Sequence, residues 1–247
     1  MEVHAHTHTA RKKWTHYFWE FLMLFLAVFC GFLAENQREH MVEYKMEKEY
    51  MKSMLEDLKQ DTAEFNTGIR SIEANFIPML SKATILLYGE NLSDSSIREM
   101  YYTVPRSIHF FTIAFQENTV TQLKNSGNLR LIKNKELTDS LAKYWNECDY
   151  LKNTLIANYE LTRLKSKELI YSIFNYSYFV NDSPSELLRK NVSLKLMSND
   201  RLQFIKLGNY LSNLHNQLSG SIFQRLKDLD QKASHLMTLI QKKYHLE

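Results

Sequence analysis

Glycine and proline are scarce in this chain, six and three among 247 residues. All-β folds and glycine-rich nucleotide loops need more turn residues than that. Cysteine is rarer still, with only Cys30 and Cys148. Cys30 lies inside an apolar run, so no intramolecular disulfide is expected. An intermolecular bridge through Cys148, in an oxidising compartment, is the alternative. Neither charge dominates: 31 Lys and Arg stand against 28 Asp and Glu, a net charge of +3. Nucleic-acid binders usually carry a larger and clustered basic excess, so nucleic acid is not expected as a partner. The sequence has no glycine-rich phosphate loop, zinc-protease helix, nucleophile elbow or CxxC pair. Histidines 109, 215, 235 and 245 are scattered. Glu147 and Asp149 flank Cys148, but neighbours diverge by roughly 100° on a helix and make no catalytic set. No enzyme activity and no cofactor are expected.

Abundant Leu, Lys, Glu, Met and Asn point instead to long helices and an all-α fold. The fourteen Tyr and fourteen Phe suit aromatic packing in a thin bundle, or an aromatic-lined groove between helices. The stretch from Trp14 to Ala34 organises the rest. It is apolar without interruption from Phe21 to Ala34, and roughly twenty residues suffice to cross a bilayer core. Arg11, Lys12 and Lys13 precede it, and Trp14, Tyr17 and Trp19 mark its edge as an interfacial aromatic belt does. Phe32 and Leu33 stand where signal-peptide cleavage wants small residues, so the stretch reads as a retained anchor. The basic triplet places the N-terminus in the cytoplasm and residues 35–247 outside it. No second apolar run follows, which predicts a single pass.

Residues 1–13 read as a disordered cytoplasmic tail. His4, His6 and His8 alternate in it, and neutral imidazoles bind Zn, Ni or Cu. The competing reading is a solvated polar tail with no role. Glu20 is the odd residue of the span. A carboxylate there is a candidate contact with a basic residue on a membrane partner, or a proton-coupled site in an energised complex. Alternatively it is an interfacial residue that reaches the headgroups.

Between Phe32 and Thr67 there is no Pro or Gly, so the span is expected to continue as one helix into the following domain. Met51, Leu55, Leu58, Thr62, Phe65, Ile69, Ile72 and Phe76 alternate spacings of four and three. That stripe suits burial against later helices, or a homodimer seam. A loop at 89–94, a helix from Ser95 to about Tyr102 ended by Pro105, and a helix from Ser107 to Asn125 follow. Residues 107–116 carry strand propensity but have no second strand to pair with. A long helix is expected from about Lys133 to Tyr178, its face marked by Leu137, Leu141, Tyr144, Cys148, Leu151, Leu155, Tyr159, Leu164 and Leu169. Pro184 opens a short helix. Ser198 or Asn199 caps a last one, its stripe running from Leu202 and Ile205 to Ile240. Two consecutive four-residue steps, Leu218 to Ile222 to Leu226, make a stutter near Gly220. The long helices are expected to pack as an antiparallel bundle.

Two blocks resemble a family of single-pass inner-membrane proteins of Gram-negative bacteria that carries no established activity. One is the charged helix after the span, ending Met54-Leu55-Glu56-Asp57-Leu58-Lys59-Gln60-Asp61. The other is Leu123, Ser126, Gly127, Leu129, Ile132, Asn134 and Leu137. The resemblance implies an inner-membrane anchor and a helical periplasmic domain, and supplies no catalytic residues. In physical terms the second block is a structural corner. Gly127 can end one helix in the left-handed conformation, Leu129 and Ile132 can anchor the turn, and Asn134 can cap the next helix. A recognition surface on that corner is the other use of it.

Three functions fit these features. The first is a non-enzymatic interaction or scaffold protein on the lipid bilayer with a membrane or periplasmic protein partner. The second is a sensor-like ligand-binding bundle that signals through a membrane partner. The third is a subunit of an energised complex using Glu20.

Overall fold

The computed structural model describes residues 14–246 apart from 91, 110, 181 and 191. Among these residues every regular element is helical and no strand occurs. Helix α1 spans Trp14–Ser71 and passes through a π turn, Ile72–Phe76, into α2, Ile77–Tyr88. Then come α3 (Asp94–Ser107), α4 (Asn118–Asn125), α5 (Lys135–Tyr150), α6 (Ala157–Ile173), α7 (Pro184–Arg189), α8 (Arg201–Asn216) and α9 (Phe223–Tyr244). Further π turns at Leu151–Ile156 and Gln217–Ile222 join α5 to α6 and α8 to α9. The chain divides into two compact units, one ending at Glu49 and one covering Tyr50–Glu247.

In the first unit, α1 carries the one stretch among the described residues that is long and apolar enough to cross a membrane, and none of that stretch is buried. Phe21, Phe25 and Phe29 stack along it at centroid distances of 6.3 and 5.8 Å. Outward-facing aromatics at every turn suit lipid, not a protein core.

The second unit has one continuous core. Asn66 donates to Asp230 Oδ1 at 2.9 Å, and the Tyr88 hydroxyl donates to Asn209 Oδ1 at 2.8 Å. Arg201 donates to the carbonyls of Leu87, Tyr88 and Gly89, covering the orphan acceptors at the end of α2. Gln217 reaches Thr162 at 3.3 Å, and Ser172 reaches Gln203 at 3.3 Å. Glu147 on α5 pairs with both Arg225 and Lys232 on α9.

Several elements differ from the sequence reading, each for a local reason. Pro105 lies inside α3, not beyond it. It falls in the last turn, where its missing N–H removes only one backbone bond before the helix ends. Residues 111–117 form neither helix nor strand, and helix resumes only at Asn118. Phe111 and Ile113 are buried while Thr112 and Ala114 are exposed, the two-residue period of an extended chain. Within it Gln116 N donates to the Asp61 side chain rather than to a neighbouring strand, so strand propensity is expressed without a sheet. Gly68 makes room for it: a Cβ there would lie 2.5 Å from Ile113 Cδ1. The stripe on α1 shifts accordingly, with Asp61 and Gly68 buried and Thr62 and Ile69 half-buried.

The π turn at Leu151–Ile156 rotates the following face. Leu164 is exposed and Leu169 only partly covered, while Thr162, Ser166 and Ile170 face the core. Helix α6 stops at Ile173, where Phe174 turns extended, rather than near Tyr178. The last long helical run is capped by Asp200, whose carboxylate accepts from Leu202 N at 2.9 Å, not by Ser198 or Asn199. With the start displaced, Leu202 and Ile205 are exposed and Phe204 and Leu207 are buried. The stutter coincides with the third π turn.

At the α4–α5 corner, Gly127 has φ 68°. Ile132 is buried and Leu129 partly so. Asn134 Oδ1 accepts from Leu137 N at 3.0 Å. Asn134→Ala in the full-length protein should cost about 1 kcal/mol, the usual loss for an N-cap. Gly127→Ala should cost about 1–2 kcal/mol, and Gly127→Asn less, because Asn tolerates the left-handed region. Urea unfolding followed by circular dichroism reads all three. Equal costs for Ala and Asn at position 127 would rule out backbone strain as the cause.

Candidate functional site

The described residues contain no cluster of three or more His, Cys, Asp or Glu able to hold a metal. His4, His6 and His8 lie outside the described residues. Glu20 is half exposed on α1, and His16 Nε2 lies 3.0 Å from its Oε1, one turn back. Gly127, Leu129, Ile132 and Asn134 are brought together as a turn between two helices, with Asn128 Nδ2 donating to the Tyr50 hydroxyl at 2.8 Å.

Two other features stand out. The first is a buried polar centre. Asp57 and Asp61 sit four residues apart on α1 and so share a face. Asp61 is 2% exposed. Its Oδ1 accepts from Gln116 N at 2.8 Å and its Oδ2 from the Tyr144 hydroxyl at 2.6 Å. Asp57 Oδ2 accepts from Thr119 N at 3.2 Å. That bond does for α4 what its own N-cap residue, Glu117, does not. Glu117 instead pairs with Lys152 at 2.6 Å. Cys148 lies one turn beyond Tyr144 and is buried.

Burial raises the Asp61 carboxyl above its ordinary 3.8, while the bonds from Tyr144 and Gln116 lower it. Burial also pushes the Cys148 thiol and the Tyr144 hydroxyl far up. A neutral buried thiol is neither a nucleophile nor a metal ligand, and a buried Sγ is poorly placed for an intermolecular bridge. The chemistry available here is hydrogen bonding, which holds three parts of the fold in register.

The second feature is a cavity of about 370 Å³ between the α1–α2 turn and the end of α3, lined by Asn75, Phe76, Pro78, Met79, Lys82 and Arg106 among others. Lys82 pairs with Glu99. Arg106 lies over the Tyr102 ring at 4.9 Å, and its buried Nε has no hydrogen-bond partner. Sequence reasoning passed over Arg106 because it belongs to no motif. Its only signal is a basic residue beside Pro105, at the end of a helix.

No protein-family model, curated protein or solved structure matches this chain. The family resemblance therefore rests on the two sequence blocks. Asp57 and Asp61 of the first block accept from Gln116 N and Thr119 N, at the start of the helix that runs on to the corner.

The raised Asp61 carboxyl fixes a pH dependence. A group whose folded pKa lies above its unfolded value favours the fold at acid pH, and that contribution fades as pH rises through the folded value. Asp61→Asn removes the titration. The melting temperature of the variant relative to the unmodified protein should therefore rise from about pH 4 to about pH 7. A flat or falling difference across that window would mean that burial does not dominate at Asp61.

Proposed function

We propose that this chain is a non-enzymatic interaction or scaffold protein, held in the bacterial inner membrane by Trp14–Ala34. The N-terminus lies in the cytoplasm, and the helical domain is periplasmic and engages a membrane or periplasmic protein. The observation that carries this reading is the wholly unburied apolar stretch of α1 in a chain whose other described unit has its own core. Arg11, Lys12 and Lys13 before the span support the orientation. The elevated thiol and phenol at Cys148 and Tyr144 support the absence of catalysis there.

The bundle of this proposal is antiparallel. Position 66 meets 230 and 88 meets 209, so one run rises as the other falls. The same holds for 147 with 225, 162 with 217 and 172 with 203.

A second reading, the sensor-like ligand-binding bundle, is favoured by one observation: the cavity beside Arg106.

Alkaline phosphatase fused at the C-terminus should be active, since it folds only outside the cytoplasm; an inactive fusion would invert the topology. Purification of the intact protein from native membranes in mild detergent should retain a partner in fixed stoichiometry. Glu20→Gln should leave that complex intact. Recovery of the chain alone would remove the scaffold reading, and loss of the partner with Glu20→Gln would favour the energised-complex reading.

A further inference from the structure

Arg106 is the most anomalous charged group in the second unit. A guanidinium has five donors, and buried ones are ordinarily satisfied. Arg106 has a ring contact with Tyr102, yet its buried Nε donates to nothing. It lines a cavity rather than packed core. The neighbouring cation, Lys82, is already paired with Glu99. Ser107 is also committed, its hydroxyl donating to the Val104 carbonyl at 2.8 Å. The charge left uncompensated on this wall is therefore that of Arg106. His109 also lines the cavity and is exposed.

We propose that this cavity binds a small organic carboxylate, with its charged end on Arg106 and its apolar body against Phe76, Pro78 and Met79. This rests on the ligand-binding reading and names its ligand class. A guanidinium fork matches a carboxylate bidentately. The opposite wall is apolar, which suits a hydrocarbon body better than a bare inorganic anion. Among the described residues no acidic side chain lines the cavity, so an ammonium group would find no counter-charge, and an amino-acid zwitterion fits less well than a simple acid. A volume of about 370 Å³ is at the small end for ligand sites. At about 30 Å³ for each water displaced, it holds roughly a dozen non-hydrogen atoms.

The test is calorimetric titration of the full-length protein in detergent with benzoate, hexanoate, benzyl alcohol and inorganic phosphate. Benzoate or hexanoate should bind, and benzyl alcohol should bind at least about tenfold more weakly, the loss that goes with a missing charge-assisted pair. Arg106→Gln should weaken carboxylate binding by at least about tenfold. It should move the melting temperature of the ligand-free protein by no more than about 4 °C, since Arg106 satisfies little of the fold without a ligand. Met79→Trp, which fills the apolar wall and leaves Arg106 in place, should also abolish binding. Circular dichroism checks that each variant is folded.

Three results would overturn the proposal. If no probe binds, the ligand-binding reading falls with it. If benzyl alcohol or phosphate binds as well as the carboxylates do, the cavity is a ligand site but the ligand class is wrong. If carboxylates bind equally to Arg106→Gln, they bind elsewhere.

Discussion

One carboxylate ties the second unit together. Asp61 on α1 accepts from the backbone of the extended segment at Gln116 and from the Tyr144 hydroxyl on α5. Desolvating a carboxylate costs several kcal/mol. Hydrogen bonds to a charged group contribute about 1.5–3 kcal/mol each, so two of them recover much of that cost, though burial still outweighs them and raises the carboxyl. What the arrangement supplies is register. An extended segment with no neighbouring strand has unpaired backbone groups, and Asp61 and Asp57 give it fixed attachment points at Gln116 and Thr119. The placement of α4 and of the corner at Gly127 follows from those attachments.

The insertion of that segment bears on the helices around it. Wide π turns interrupt the helical run after α1, after α5 and after α8. The turn at Gln217–Ile222 packs against each of the other two. Each π turn adds a residue to the local repeat and rotates the face that follows. Near this level, Phe111 lies edge-on to Phe76 at 5.6 Å and to Tyr159 at 6.2 Å. Three helices opening where an aromatic segment packs between them is a consistent solution to filling a core at native density.

How far the fold could be read in advance follows from these same residues. The apolar stretch of α1 and the buried faces of α5 and α9 are set by local periodicity, and their side chains lie where the spacing puts them. The stutter at Leu218, Ile222 and Leu226 was visible as two equal steps and corresponds to a π turn. The turn at Leu151–Ile156 gives no such sign, so the spacing puts Leu164 on the buried face although it is exposed, while Leu169 does pack against the core. The segment is hidden because a strand is judged by its partner strand, whereas here the partners are two carboxylates 55 and 62 residues away in sequence. Asp61 was visible as the end of a motif, but nothing local tells a buried acceptor from a solvated one. Arg106 lay further out of reach, because a missing hydrogen bond is a property of assembled structure alone.

Asp61 and Arg106 are opposite outcomes of the same constraint. Each is a charged group held against the core of one helical unit. Asp61 has a donor on each oxygen, and its surroundings read as complete. Arg106 has an aromatic face and an open cavity. Thr84 Oγ1 and Gln217 Oε1 are also buried without partners, but neither is ionised and neither is among the residues lining this cavity. Leaving a buried donor unsatisfied costs about 1–3 kcal/mol, and more when it is charged. That cost is small beside the core as a whole, so the fold can carry it. The unpartnered Arg106 Nε is therefore a place where this domain departs from what stability alone would select, and such departures are where function is to be sought.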